Sequence, residues 1–229
     1  MTADLKQWTP RERPRREPME GRFVQLEPID AARHGDALFS VTADEPERFR
    51  YLFEPPPKDR TAMQPWLDKA EASTDPFWFT VIDKASGEIV GRQSFMRIDP
   101  TFGVIEIGSI LWSGRMARRP AATEALYLFA RHAFDDLGYR RFEWKCDNRN
   151  EPSKRAATRF GFTFEGVFRQ HMIVKGQNRD TAWFSMLDSE WPVIGSAFER
   201  WLDPSNFDAD GGQLKRLEEI RSGLAGGAA

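Results

Sequence analysis

Cysteine is almost missing from this sequence. Cys146 stands alone in 229 residues, which excludes an internal disulfide framework and a cysteine-only zinc cluster, and fits a reducing compartment. Histidine is scarce too: His34, His132 and His171 lie far apart, and no pair has the spacing that puts two metal ligands on one helix face, so no metal is expected. Charge of one sign is absent as well. The formal net charge of −2 excludes the basic footprint of a nucleic-acid binder and gives no reason to expect an anionic membrane as partner, so any anion site must be local. No run approaches the roughly 20 apolar residues that span a bilayer. The first twenty residues mix acids among arginines and lack an apolar stretch, which argues against secretion or mitochondrial import and makes a cytoplasmic protein the expectation. Neither G-x-G-x-x-G nor G-K-[ST] occurs, so nicotinamide and nucleoside-triphosphate chemistry lose their best warrant.

What is present is a soluble globular composition. Apolar residues make up 40% of the chain, with 17 glycines and 15 prolines, a balance far from low complexity. The length suits one large domain with extensions, able to fold without a disulfide or metal staple. Residues 1–20 are rich in Pro, Arg and Glu and read as an extended or disordered tail. A strand-like run at 22–28 carries Phe23 and Leu26 imperfectly in phase, and residues 31–70 read as helices broken by Pro55-Pro56-Pro57.

From Phe77 the pattern sharpens. Residues 77–83 and 88–98 are strand-like and joined by Lys84-Ala85-Ser86-Gly87, and a second turn at 99–103 leads into 104–112, which makes an antiparallel meander. In 120–137, Ala122, Leu126, Phe129, Ala133 and Leu137 recur at steps of three and four before Gly138, the signature of an amphipathic helix. Residues 140–146 alternate Phe142, Trp144 and Cys146 against Arg141, Glu143 and Lys145. A strand, a helical crossover and another strand imply a parallel pair. A helix at 151–160, a long hairpin over 163–187 and helices at 189–202 and 213–224 complete the chain. A mixed sheet with helices on both faces is expected.

A ligand in such a sheet sits beyond the carboxyl ends of the parallel strands, here the ends of 104–112 and 140–146. The first leads through Ser113-Gly114-Arg115-Met116-Ala117-Arg118-Arg119 into a helix that Pro120 can open. Free amides there, beside Arg115, Arg118 and Arg119, make either a phosphate site or a solvated basic turn. Glu106 lies between apolar neighbours; it is either a general base with a raised pKa or a cross-strand partner of Arg92 or Arg97. Gly108 marks a bulge or a close ligand approach, and a bulge would splay the parallel strands. Asn150 reads as a helix cap. Ser153 then falls in the first helical turn, as a proton donor to a leaving thiolate or as a capping residue, and Cys146 reads as a small buried hydrophobe.

Three segments carry a resemblance: Val104-Ile105-Glu106-Ile107-Gly108-Ser109-Ile110-Leu111, Ala121-Ala122-Thr123-Glu124-Ala125-Leu126, and Asn150-Glu151-Pro152-Ser153 followed by Phe160-Gly161-Phe162. With them the chain, over about residues 21–191, resembles the GNAT superfamily of CoA-dependent N-acyltransferases, and within it the ribosomal-protein alanine acetyltransferase branch. The resemblance implies a single GNAT-like α/β domain at 21–190, its mixed, mostly antiparallel sheet holding a central splayed parallel pair with helices on both faces. A helical extension, 191–229, follows. It also implies acetyl-CoA as cosubstrate, its pantetheine arm paired with the backbone of Ile110, Leu111 and Trp112. The pyrophosphate would rest on amides between Arg115 and Thr123, including Ala121 and Ala122, and Asn150, with Asn148 as the alternative, would hold the CoA arm. By the same resemblance Glu106 stands at the position of the usual base and Ser153 at that of the acid. The family's phosphate loop typically reads Q/R-x-x-G-x-G/A. Here Ala117 and Pro120 occupy the first and fourth places, and Pro120 removes one amide donor.

The expected activity is transfer of an acetyl group from acetyl-CoA to a primary amine, a protein N-terminus or a small molecule, by direct attack with a carboxylate base. Two alternatives stand beside it: a degenerate GNAT-fold module that binds CoA or regulates, and an N-acyltransferase that uses succinyl-CoA, its extra arginines holding the carboxylate. The acceptor pocket is expected between residues 31–70 and the closing hairpin, with Tyr51, Phe53, Trp66, His171 and Trp183 in it. Trp191 and Trp201 either cover the sheet or form a homodimer contact.

Overall fold

The computed structural model describes residues 5–117 and 119–226. Among the described residues eight strands form one sheet: β1 (Met19–Glu20), β2 (Val24–Pro28), β3 (Phe77–Asp83), β4 (Ile89–Asp99), β5 (Val104–Trp112), β6 (Arg141–Asp147), β7 (Thr163–Val174) and β8 (Gln177–Leu187). Their spatial order is β1-β2-β3-β4-β5-β6-β8-β7, and every pairing is antiparallel except β5 with β6. The helices are α1 (Ala31–Ala43), α2 (Arg60–Ala72), α3 (Pro120–Arg131), α4 (Glu151–Phe160), α5 (Trp191–Leu202) and α6 (Leu217–Gly226).

Alternation along the strands divides the interior in two. Phe77, Phe79 and Val81 of β3 enter the larger core with α3 and α5, whereas Trp78 joins Leu38, Val41, Met63 and Leu67 of α1 and α2 on the other face. The centre of the larger core is aromatic: Phe95 stacks on Phe129 with ring centroids 3.8 Å apart, and Phe79 meets Phe129 edge-on. In β2 the buried pair is Val24 and Leu26, two residues apart and therefore on one face, which removes the phase conflict created by reading Phe23 as inward. The crossover helix is shorter than its periodicity suggests. After Arg131 the backbone widens into a π-helical turn, His132–Asp136, and α3 itself is buried along nearly its whole length between sheet and α5.

Trp191 and Trp201 are 7% and 4% exposed. They cover the sheet within the chain, stacking with Phe134 and Tyr127 and meeting Phe207 edge-on. Residues 5–17 run over the surface in largely irregular backbone and are pinned by long side chains. Trp8 donates its indole N–H to Thr101 O, Arg11 donates to Gly138 O, and Arg16 to Glu71 O and Ile29 O. Among the described residues no helix is long and apolar enough to cross a membrane.

Candidate active site

The β5–β6 ladder pairs Val104 with Arg141 through Ile107 with Trp144 and then stops. The cause lies on the other side of β5. Between the pairs Ser94–Gly108 and Arg92–Leu111, β5 spends one residue more than β4; this is a bulge, with Ser109 at φ 51°. A side chain at Gly108 would push against the Met96 thioether and force it to move. The bulge turns β5 away from β6, and the gap opens into a cleft of about 490 Å³, a size suited to a small-molecule ligand.

Six of the expected catalytic and CoA-binding residues line this one cleft: Glu106, Ile110, Leu111, Trp112, Asn150 and Ser153. Ile105 and Ile107 enter the core, so alternation sends Glu106 to the opposite face. There both oxygens of its carboxylate, 3% exposed, accept from Arg97 Nη1 (2.8 and 2.9 Å), and Oε2 pairs with Lys145 Nζ at 2.9 Å. Burial pushes the Glu106 carboxyl up from the usual carboxylate range, against the pull of Lys145 and Arg97. The ion pair and the raised pKa, posed as alternatives on the sequence, therefore coexist.

Ser153 accepts from Trp144 Nε1 at 3.0 Å, and its amide donates to Asn150 Oδ1 at 3.2 Å. Asn150 thus caps α4 through its oxygen, which leaves its NH₂ for a ligand. Cys146 is buried beside them; burial raises its thiol pKa while the Ser153 hydroxyl opposes the shift, the state of an unreactive thiol.

The segment after β5 is more dispersed. The guanidinium of Arg115 pairs with Glu88 at 2.6 Å and lines a separate groove with Arg33 and His34. Arg118 lies outside the described residues. Arg119 is exposed and precedes α3 as an N-cap without a side-chain hydrogen bond. With Pro120 next, the amides of Ala121 and Ala122 are the first-turn donors that the helix itself cannot satisfy; the Thr123 amide is the first with an i−4 carbonyl to reach. The Thr123 hydroxyl, buried, accepts from Arg159 Nη1 at 3.0 Å. One amide upstream already holds an anion: Gly114 N donates to the Glu45 carboxylate at 2.8 and 3.0 Å.

Of the expected acceptor-side aromatics, Tyr51, Phe53 and His171 line the cleft with Arg179 and Thr181. Tyr51 donates its hydroxyl to Arg149 O, and Lys175 from the β7–β8 turn donates to Phe49 O, so residues 46–53 are tied to both neighbouring loops. Trp66 instead packs edge-on to Trp78 under the buried Arg92 guanidinium. Trp183 lies beneath Lys145, whose Nζ is 3.7 Å from the ring centroid. Lys145 and Glu143 are the cluster members that sequence reasoning passed over. Their strand alternation was visible, but only the pairing Glu106–Glu143 in β5–β6 brings them together. Among the described residues no group of three or more His, Cys, Asp or Glu is placed to hold a metal ion.

The acetyltransferase (GNAT) domain family matches residues 24–163, which contain the bulge, the splayed pair and α3. An uncharacterized N-acetyltransferase p20 of Bacillus licheniformis is 31% identical over 113 residues, 49% of this chain and 63% of that protein; the match spans less than two thirds of that relative. Among solved structures, a GCN5-related N-acetyltransferase from Brucella melitensis is 60% identical and superposes with a TM-score of 0.94 over 95% of this chain and 100% of the other. A probable GNAT-family acetyltransferase from Chromobacterium violaceum is 41% identical, TM-score 0.78, over 84% of this chain and 96% of its own. By sequence and by its single mixed α/β sheet with one splayed parallel pair, the chain belongs to the GNAT acetyltransferase family.

Proposed function

We propose that residues 21–190 form an N-acetyltransferase unit that moves an acetyl group from acetyl-CoA to a primary amine in the cytoplasm. The observation that carries this reading is the opening of the β5–β6 ladder after Ile107, with Glu106 at its base. The residues present suit acetyl-CoA in three respects. The β6-facing edge of β5 at Ile110–Trp112 has no ladder partner in β6, the Asn150 amide NH₂ has no hydrogen-bond acceptor among the described residues, and the Ala121 and Ala122 amides face out of an uncapped helix start. Pro120 supplies no donor and Arg115 is engaged by Glu88, so the phosphate contacts fall to these amides and to Arg119.

The acceptor amine must be deprotonated to attack, and free amines have pKa values of about 8 to 10. Glu106, with its pKa raised by burial, takes that proton directly or through a water. Lys145 and Arg97 hold the carboxylate in place throughout. A backbone N–H in the bulge near Ile110 donates to the carbonyl oxygen as it gains charge. Ser153, oriented by Trp144, delivers a proton to the departing sulfur. Acetyl-CoA supplies the activated acyl group, and no covalent intermediate on the protein is required.

The motif Asn150-Glu151-Pro152-Ser153 with Phe160-Gly161-Phe162 supports the ribosomal-protein alanine acetyltransferase branch. The test is a panel of primary amines and N-terminal peptides with acetyl-CoA, read as free thiol released, beside calorimetric titration of acetyl-CoA. Turnover on at least one amine is expected. Tight binding without thiol release would indicate a regulatory module, and no binding would overturn the reading.

A further inference from the structure

Cations in the cleft are almost all neutralised by carboxylates of the protein. Arg97 is held by Glu106, Lys145 by Glu106 and Glu143, and Arg48 by Glu45. Arg179 is the exception. It lies on β8 two residues before Thr181, which pairs with Asp147 at the end of β6, and as a residue it is 7% exposed. Its Nε donates to Thr181 Oγ1 at 3.3 Å, and its guanidinium carbon sits 4.9 Å from the Phe53 ring centroid. These are its side-chain contacts among the described residues; no carboxylate lies within 4.0 Å of it. The carboxylate nearest in the chain's path, Asp147, is taken by Arg149 through three hydrogen bonds of 2.8 to 3.0 Å.

Burial pulls the Arg179 pKa down although Asp147 and Glu106 favour its charge without touching it, and a guanidinium withdrawn this far from water is costly unless a contacting anion offsets the lost hydration. The terminal nitrogens of Arg179 have no protein acceptor, yet they are not among the polar atoms sealed from solvent. They therefore open into the cleft that Arg179 lines. Two Nη groups on a planar fork, its Nε fixed by Thr181 and its face fixed by Phe53, form a site preorganised for two parallel N–H···O bonds to a carboxylate. A lysine at this place would offer only a point charge.

We propose that Arg179 is the specificity residue that receives a substrate carboxylate, so that one of the two substrates is anionic at a point away from the reacting atoms. The carboxylate belongs either to the acceptor, which is then an amino-acid-like amine, or to the acyl chain, which is then a dicarboxylic half-thioester. The proposal rests on the acyltransfer reading of this cleft, and the experiment separates the failure of one from the failure of the other.

The full chain is compared with Arg179→Gln and Arg179→Lys, with thermal unfolding midpoints recorded for all three. In the first arm, acetyl-CoA is presented with amines in matched pairs, glycine and phenylalanine each against its carboxamide. In the second, acetyl-CoA and succinyl-CoA are compared on the carboxamides alone. The third needs no turnover: N-acetylphenylalanine, its carboxamide and succinate are titrated calorimetrically. A charged bidentate contact predicts that Arg179→Gln lowers the carboxylate-to-carboxamide ratio of kcat/KM, or the succinyl-to-acetyl ratio, about tenfold or more. The rate on the neutral partner of that pair stays near wild type, and Arg179→Lys keeps the sign of the preference. A fall in the first ratio places the carboxylate on the acceptor, and a fall in the second places it on the acyl chain. Absence of thiol release in every arm defeats the acyltransfer reading, while carboxylate binding that is lost in Arg179→Gln still upholds Arg179. Equal effects on charged and neutral ligands, or no carboxylate bound better than its amide, overturn the proposal.

Discussion

Lys145 Nζ lies 2.9 Å from Glu106 Oε2 and 2.6 Å from Glu143 Oε2, with 5% of its side chain exposed. Two carboxylates set side by side by the parallel register are thus bridged by one ammonium, itself resting on the Trp183 ring. Arg97 closes the group on the solvent side.

The first consequence concerns Glu106. Its pKa is raised by burial, so the base-competent fraction grows as pH rises through that raised value. Glu106→Gln is expected to lower kcat/KM by roughly 10²-fold or more and to flatten the acidic limb of the pH profile. The fold is retained, because Lys145 keeps Glu143. Unchanged kinetics across pH would exclude Glu106 as the base.

Lys145→Met removes the bridge and leaves Glu106 and Glu143 facing one another. A broken buried pair costs about 3–5 kcal/mol. The Glu106 carboxyl already has a raised folded-state pKa, so the defect is smallest at acid pH, where Glu106 is protonated, and grows as pH rises through that pKa. Urea unfolding at several pH values measures it, and the acidic limb of kcat/KM moves to higher pH in the same variant.

Glu165 behaves in the opposite way. Bidentate contact with Arg141, with a further hydrogen bond from Ser185, lowers its carboxyl to about 2. A depressed folded-state pKa contributes stability that is present above the unfolded value and is lost as pH falls through the folded one. Glu165→Gln should therefore be less stable than wild type at neutral pH, and the two unfolding midpoints should converge between pH about 4.5 and about 2.

Arg92 sets up a different test. It is 2% exposed, pairs with Glu54, donates to Ser109 O at the bulge and lies between Trp66 and Trp78. Arg92→Met leaves the Glu54 carboxylate, 26% exposed, without its partner and costs about 1–3 kcal/mol, whereas replacing both partners by neutral side chains recovers much of that loss. A double-mutant cycle with Glu54→Gln, read by denaturant unfolding, gives the coupling. Because the bulge loses a hydrogen bond, kcat falls in Arg92→Met.

The strands and helices of the site were legible because local patterning and burial agreed. The alternation in 140–146 and the three-and-four steps of 120–137 match β6 and the run through α3 and its π-turn. Gly108 signalled a bulge, and one formed next to it at Ser109. Arg97 as partner of Glu106 was legible as one of two options. Arg179 carried no signal, because it stands near the start of β8 among other polar residues and acquires meaning only from Phe53, some 126 positions earlier.

By itself the amino-acid order determined which faces are apolar, which segments are helix or strand, and that a lone carboxylate lies on an interior strand. These are properties of neighbours within a few residues, where periodicity and steric preference decide. Tertiary structure alone decided the charge pairing. Register across β5 and β6 set Glu143 and Lys145 against Glu106, the hairpin carried Arg115 to Glu88, and β8 left Arg179 in the cleft with no carboxylate in contact among the described residues. Ion pairs fall off within a few ångströms and take no account of distance along the chain, so their partners are settled only when strands from different parts of the chain come into register.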